Sequence, residues 1–156
     1  MIKLIIMDVD GTLTDGKINI SQNGEIFKSF NVKDGYGIVD AQKNGLIPII
    51  LTGRESAIVT YRAKELNIVD VRQGIKNKLD EIKKIIDQYN VTLDEIAYIG
   101  DDLNDLELFD LLKYTFAPHD AYKIIKDNAY KLLNASGGYG AVREAIDEIY
   151  LINKNM

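Results

Sequence analysis

The chain contains no cysteine, which excludes disulfide staples and thiolate catalysis and permits a reducing cytosol. No uninterrupted apolar run is long enough to span a bilayer, and no basic stretch leads into a long apolar segment at the amino terminus. Positive charge is not in excess. With 24 Asp+Glu against 19 Lys+Arg, the signs interspersed and a formal net charge of -5, a nucleic-acid partner has little electrostatic support. Internal repeats and low-complexity linkers are also lacking. What is present reads as an ordinary globule, 46% hydrophobic and 28% charged over 156 residues. That length suits one domain with a sizeable core and would be cramped for two. The expectation is a single domain over 1–156 in a cytoplasmic setting, with neither membrane nor nucleic-acid contact.

The chemistry concentrates first at the amino terminus. Residues 2–7 form an apolar run with β-branched members, which predicts a short buried strand. The run stops at Asp8 and Asp10, and Gly11 then allows a sharp turn. Carboxylates at a strand's carboxyl end sit where an open α/β sheet gathers ligands. Two carboxylates held close repel each other, so the pair implies a shared proton or a hard cation such as Mg2+. Thr12 offers a hydroxyl and an amide to an anion.

Next come two strand-like segments, 16–20 and 25–30, joined through Asn23-Gly24, a hairpin signal. Ile18 with Ile20, and Ile26 with Lys28 and Phe30, alternate onto one apolar face that needs a cover. Patterning leaves open whether the domain itself or a neighbouring copy supplies it. A helix closed by Asn44-Gly45 and a buried strand over 46–51 lead to Thr52-Gly53-Arg54. Threonine and glycine between strand and helix are placed to donate to a phosphate, and Arg54 suits a second anionic group on the substrate. Further helices are predicted over 56–66 and from Lys78 onward, with a short strand at 68–71 between them. Thr92 to Glu95 has capping-box spacing and predicts one helical turn before a strand at 96–99. That strand ends in Gly100-Asp101-Asp102-Leu103-Asn104-Asp105, a second acidic strand end. Two such ends side by side would make an all-oxygen Mg2+ site. The rest predicts a helix at 106–112, an edge strand at 113–117, a short helix opening at Pro118 and His119, a strand at 130–133 and a closing helix at 141–151. His119, the single histidine, lies at a helix start and reads as structural.

The run Asp8 to Asp15 after a hydrophobic strand, with Thr52-Gly53, Lys78 and Gly100 to Asp105 following in order, resembles the four motifs of the haloacid dehalogenase superfamily of phosphotransferases. The resemblance implies a Rossmann-like α/β core with a parallel sheet between helices and a β-hairpin insertion at about 16–31. Neither interval that usually carries a cap module has room for one. It further implies Asp8 as the nucleophile, Asp10 as general acid and base, and Thr52 and Lys78 as further catalytic groups. Mg2+ would sit on Asp8, the Asp10 carbonyl and Asp101. Asp102 would assist, and Asp105 would position Lys78.

Within the superfamily, Leu13 to Gly16, Phe30 to Gly37, Thr52 to Arg54, Asn77-Lys78 and Gly137 to Glu144 resemble a small family of sugar-acid phosphatases. Its members act on 3-deoxy-D-manno-octulosonate 8-phosphate, in lipopolysaccharide biosynthesis, or on nonulosonate 9-phosphates such as that of N-acylneuraminate. Arg54 leans toward the octulosonate, and Gly53, Arg54 and Asn77 would bind substrate. The resemblance also implies a homotetramer with the hairpins at its interface, each subunit helping to close its neighbour's site. Tyr139 departs from the family's usual arginine, and the tail after Leu151 is short. Two other readings remain: a non-catalytic sugar-acid-binding tetramer, and a protein phosphatase using an open site.

Overall fold

The structure is a computed structural model describing residues 1–156. Six parallel strands form one sheet in the order β5-β4-β1-β6-β7-β8. They are β1 (Leu4–Met7), β4 (Ile47–Leu51), β5 (Asp70–Arg72), β6 (Ile96–Ile99), β7 (Tyr114–Ala117) and β8 (Lys131–Leu132). The helices are α1 (Val32–Lys43), α2 (Ala57–Glu65), α3 (Lys78–Tyr89), α4 (Leu106–Leu111), α5 (Lys123–Asn128) and α6 (Ala141–Lys154). None is long and apolar enough to cross a membrane.

Alternation along β1 feeds two cores. Ile5 and Met7 point to one face, where Ile38 and Ala41 of α1, Val59 and Ala63 of α2, and the apolar stripe of α6 from Ala141 to Ile149 cover them. Leu4 and Ile6 point to the other, against Ile82 and Ile85 of α3, Leu108 and Phe109 of α4, and Ile125 of α5. Helices on both faces explain why β1, β6 and β7 are buried at every residue.

This arrangement matters for function because of register. Met7 is level with Ile50 on one side and Ile99 on the other. The chain segments leaving β1, β4 and β6 therefore emerge at one rim, in the crevice where the strand order reverses.

Between β1 and α1, β2 (Asn19–Ser21) and β3 (Gly24–Phe27) make a separate two-stranded hairpin. Its two-residue loop is Gln22-Asn23, one position earlier than Asn23-Gly24, because Gly24 with φ +110° already pairs with Ser21. The expected face divides: Ile18, Ile20 and Ile26 are exposed, as is Phe27 beside them, whereas Phe30 packs against the core and the Lys28 side chain is buried.

Other departures have local causes. β7 is interior and not an edge, since Ala117 pairs with Leu132 of β8. α1 starts at Val32 because the Asn31 side chain caps it by accepting from the Lys33 amide. β5 begins at Asp70 and leaves Val69 in solvent. The segment from Pro118 is a turn, and α5 begins only at Lys123.

Candidate active site

Asp8 is the first residue beyond β1 and is buried, with its amide donating to the Ile99 carbonyl at 3.0 Å. The loop that follows is wound on itself: the amides of Thr12, Leu13 and Thr14 all donate to the Val9 carbonyl. Gly11 turns it with φ +86°, and a Cβ there would lie 2.0 Å from Asp101 Oδ2. The carboxyl-terminal glycines brace the loop from outside. A Cβ on Gly137 would meet the Gly11 carbonyl oxygen at 1.9 Å, and Gly138 donates its amide to Thr12 at 3.1 Å.

Thr12 has no donor left for a substrate anion. Its amide is spent on Val9, and its hydroxyl donates to Asp101 Oδ1 at 3.1 Å, so it orients that carboxylate. Thr52, just past β4, likewise uses its amide, on the Arg72 carbonyl at 2.9 Å. The Thr52 hydroxyl and the Gly53 amide engage no protein partner and line the opening.

Lys78 is the first residue of α3, whose N-cap is Asn77. Its Nζ is buried, 3.2 Å from Asp8 Oδ1 and 2.6 Å from Asp105 Oδ1, and donates to the Tyr98 hydroxyl at 3.1 Å. Asp105 is fully engaged. It accepts from Lys78 and Tyr98 through Oδ1, and from the amides of Asp101 and Asp102 through Oδ2 at 2.9 and 3.3 Å.

One oxygen from each of Asp8, Asp101 and Asp105 lies within 4.8 Å of the others. Because Asp105 is saturated by donors, the oxygens available to a cation are those of Asp8 and Asp101. The Asp10 carbonyl, which accepts no hydrogen bond, is a third. Hard, anionic oxygen donors of this kind fit Mg2+.

Burial and the crowding of negative charge raise the pKa of both Asp8 and Asp101. Burial, then Asp105, push the Asp8 carboxyl up to about 6 despite the opposing pull of Lys78. Burial, then Asp8 and Asp105, push Asp101 up to about 8. Burial works against the charged form of Lys78, but Asp8 and Asp105 outweigh it and raise its pKa. An ammonium wedged between two carboxylates stays charged. Burial, with Asp105 and Asp8, also holds the Tyr98 phenol neutral.

The site opens through a basin of about 330 Å³ lined by Asp8, Asp10, Thr52, Gly53, Arg54, Asp102, Leu103 and Asn104. Arg54 is half exposed on its wall, with Nη2 at 3.7 Å from Glu25. Asn77 is outside that lining, its side-chain oxygen accepting from the Asp80 amide at 2.9 Å. His119 is exposed and also outside the lining, and Tyr139 is exposed beside the bracing glycines.

Sequence reasoning missed Lys28, Glu25 and Tyr98. Lys28 Nζ contacts Asp10 Oδ1 at 2.6 Å. Its only sequence signal was a lysine breaking an apolar alternation, which also describes a solvated strand residue. Tyr98 had none, being one more aromatic in a buried strand.

Residues 55–146 match the haloacid dehalogenase-like hydrolases. The chain is 39% identical over 150 residues to the 3-deoxy-D-manno-octulosonate 8-phosphate phosphatase of Salmonella typhi, covering 96% of this chain and 80% of that enzyme. The cobalt-bound form of the deoxy-D-mannose-octulosonate 8-phosphate phosphatase of Haemophilus influenzae superposes with a TM-score of 0.94 at 38% identity, over 98% of this chain and 90% of that one. The 3-deoxy-D-manno-octulosonate 8-phosphate phosphatase of Moraxella catarrhalis, solved with a magnesium ion, a phosphate ion and the sugar acid, gives 0.91 at 35% identity over 99% and 94%. With relatives of this identity along nearly its whole length, and no separate cap domain on its parallel core, the chain belongs to the haloacid dehalogenase-like hydrolases.

Proposed function

We propose that this protein is a Mg2+-dependent phosphomonoesterase that hydrolyses 3-deoxy-D-manno-octulosonate 8-phosphate to the free sugar acid and inorganic phosphate. The observation that carries the reading is the buried Asp8 carboxylate at the β1 end, with Lys78 at 3.2 Å and Asp101 beside it. Identity of 39% over 96% of the chain to an enzyme of that name supplies the substrate.

In the first step an Asp8 oxygen attacks phosphorus and the bond from phosphorus to the sugar oxygen breaks. Asp10, as the acid, gives its proton to that leaving oxygen. The Asp8 phosphate is then attacked by water, whose proton returns to Asp10, and the acyl–phosphate bond breaks to release phosphate. The Thr52 hydroxyl and Gly53 amide donate to the phosphoryl oxygens, while Lys78 offsets the charge that builds near Asp8. Mg2+, held by Asp8, Asp101 and the Asp10 carbonyl, would neutralise phosphoryl charge. Asp102 would assist from the rim, Asp105 positions Lys78, and Arg54 meets the sugar-acid carboxylate. Asn77 supports this arrangement by capping α3.

The same reading makes 1–156 one phosphatase domain and the assembly a homotetramer. Exposed Ile18, Ile20, Ile26 and Phe27 on the hairpin support an interface there. The cysteine-free composition suits a cytoplasmic setting.

The test is phosphate release from octulosonate 8-phosphate, N-acylneuraminate 9-phosphate, hexose phosphates and a phosphopeptide, with Mg2+ present or chelated. Strong Mg2+-dependent preference for the first is expected. Preference for the 9-phosphate would replace the substrate and keep the chemistry. Binding without turnover would leave a sugar-acid-binding protein. Full activity of Asp8→Asn would overturn the mechanism.

A further inference from the structure

We propose that Lys28, just beyond the hairpin, is a positioning residue that fixes the Asp10 carboxyl, so that proton transfer depends on the hairpin being seated. The proposal rests on the role given to Asp10 above.

The geometry is a continuous chain of contacts. The Lys28 side chain is only 3% exposed, and its Nζ lies 2.6 Å from Asp10 Oδ1 and 3.5 Å from Glu25 Oε2. Glu25 in turn accepts from the Ser56 hydroxyl at 2.7 Å through Oε1. Ser56 caps α2 by accepting from the Ile58 amide at 3.2 Å, and donates its own amide to Gln73 at 2.8 Å. The hairpin is thus tied at one end to the acid–base residue and at the other to the loop that carries Thr52 and Gly53.

Burying an ammonium is costly unless carboxylates face it, and here two do. A two-stranded hairpin holds its shape poorly alone, so a buried ionic anchor decides where it sits. The chemical consequence follows from which oxygen is engaged. With Oδ1 held by Lys28, the unengaged Oδ2 is the oxygen that carries the proton to the leaving group and takes one from water. Without Lys28 the carboxyl is free to rotate. It can also turn toward the Asp8 and Asp101 carboxylates, where proton transfer to the leaving oxygen is mis-aimed.

A leaving-group comparison separates this role from a merely structural one. A sugar alkoxide needs a proton to leave, whereas p-nitrophenolate does not. For Lys28→Met on octulosonate 8-phosphate, kcat is expected to fall about 10- to 100-fold with KM changed less than about threefold. On p-nitrophenyl phosphate, rapid mixing should show a burst of nitrophenolate at near the parent rate, stoichiometric with enzyme. Slow turnover follows, because water attack still needs Asp10. Lys28→Arg should recover part of kcat, and Glu25→Gln, which keeps Lys28, should show a weaker form of the same split.

An equal fall in the first step for both substrates, a rise in KM at constant kcat, or parent-like kinetics in a folded Lys28→Met would each overturn the proposal. If Lys28→Met does not fold, Lys28→Arg and Glu25→Gln decide by the same split. Asp10→Asn is the reference. A burst followed by slow turnover there supports the acid–base reading independently, and parent-like turnover there would sink that reading rather than the role of Lys28.

Discussion

Mg2+ binding to this site should be paid for in protons. At pH 7 Asp101, one unit below its raised value of about 8, is about nine-tenths protonated. Asp8, one unit above its value of about 6, is about nine-tenths ionised. A cation that takes both carboxylates therefore expels about one proton at pH 7, nearly two well below pH 6 and almost none above pH 9. Between pH 6 and 8 the apparent Kd for Mg2+ should fall about tenfold per pH unit. Calorimetric titration of the metal-free protein in two buffers of different ionisation enthalpy reads the proton count directly. Protons released near zero at pH 7, with a Kd flat across this range, would refute the argument that burial and mutual repulsion hold Asp101 protonated. The stability sign follows. Both carboxyls have folded-state values above their unfolded ones, so they contribute stability that is present below about pH 4 and lost as pH rises through 6 and 8. The metal-free Tm should fall across that window, and saturating Mg2+ should reverse the trend.

Asp105→Ala leaves the Lys78 ammonium and the Asp101 and Asp102 amides short of a partner, and a loss of about 3–5 kcal/mol in chemical denaturation is expected. Gly11→Ala forces a methyl against Asp101 Oδ2 at a positive φ, so Mg2+ affinity measured by calorimetry should drop before the fold does. Replacing Lys78 with Met should lower kcat about 10²–10³-fold, and parent-like rates in that variant would deny it a role in charge stabilisation. If the hairpins form the proposed interface, Ile20→Asp with Phe27→Asp should shift sedimentation to smaller species than the parent; an unchanged mass would remove the hairpin from any interface.

The sequence by itself determined every strand end that carries chemistry. An apolar run stopped by Asp8, another by Thr52-Gly53, and a third by Gly100-Asp101 are local signals, because side-chain hydrophobicity and turn chemistry act within a few residues. The same locality made the helical turn at 93–95, the Asn44-Gly45 stop and the closing helix legible. Lys78 stood among neighbouring lysines with nothing local to mark it, and only its place in a motif series selected it. Tertiary structure alone decided which partners meet. The level register of β1 with β4 and β6 brings Asp8 to Asp101 across 93 positions of chain. β8 makes an interior strand of β7, and Tyr98 is aimed at Asp105 from within a buried strand. The hairpin turns Lys28 inward while Ile26 and Phe27 face solvent, a division that period-two alternation cannot foresee where the backbone bulges and leaves the strand. Charge pairing over such distances is settled by where the chain folds back, and no short-range pattern encodes that.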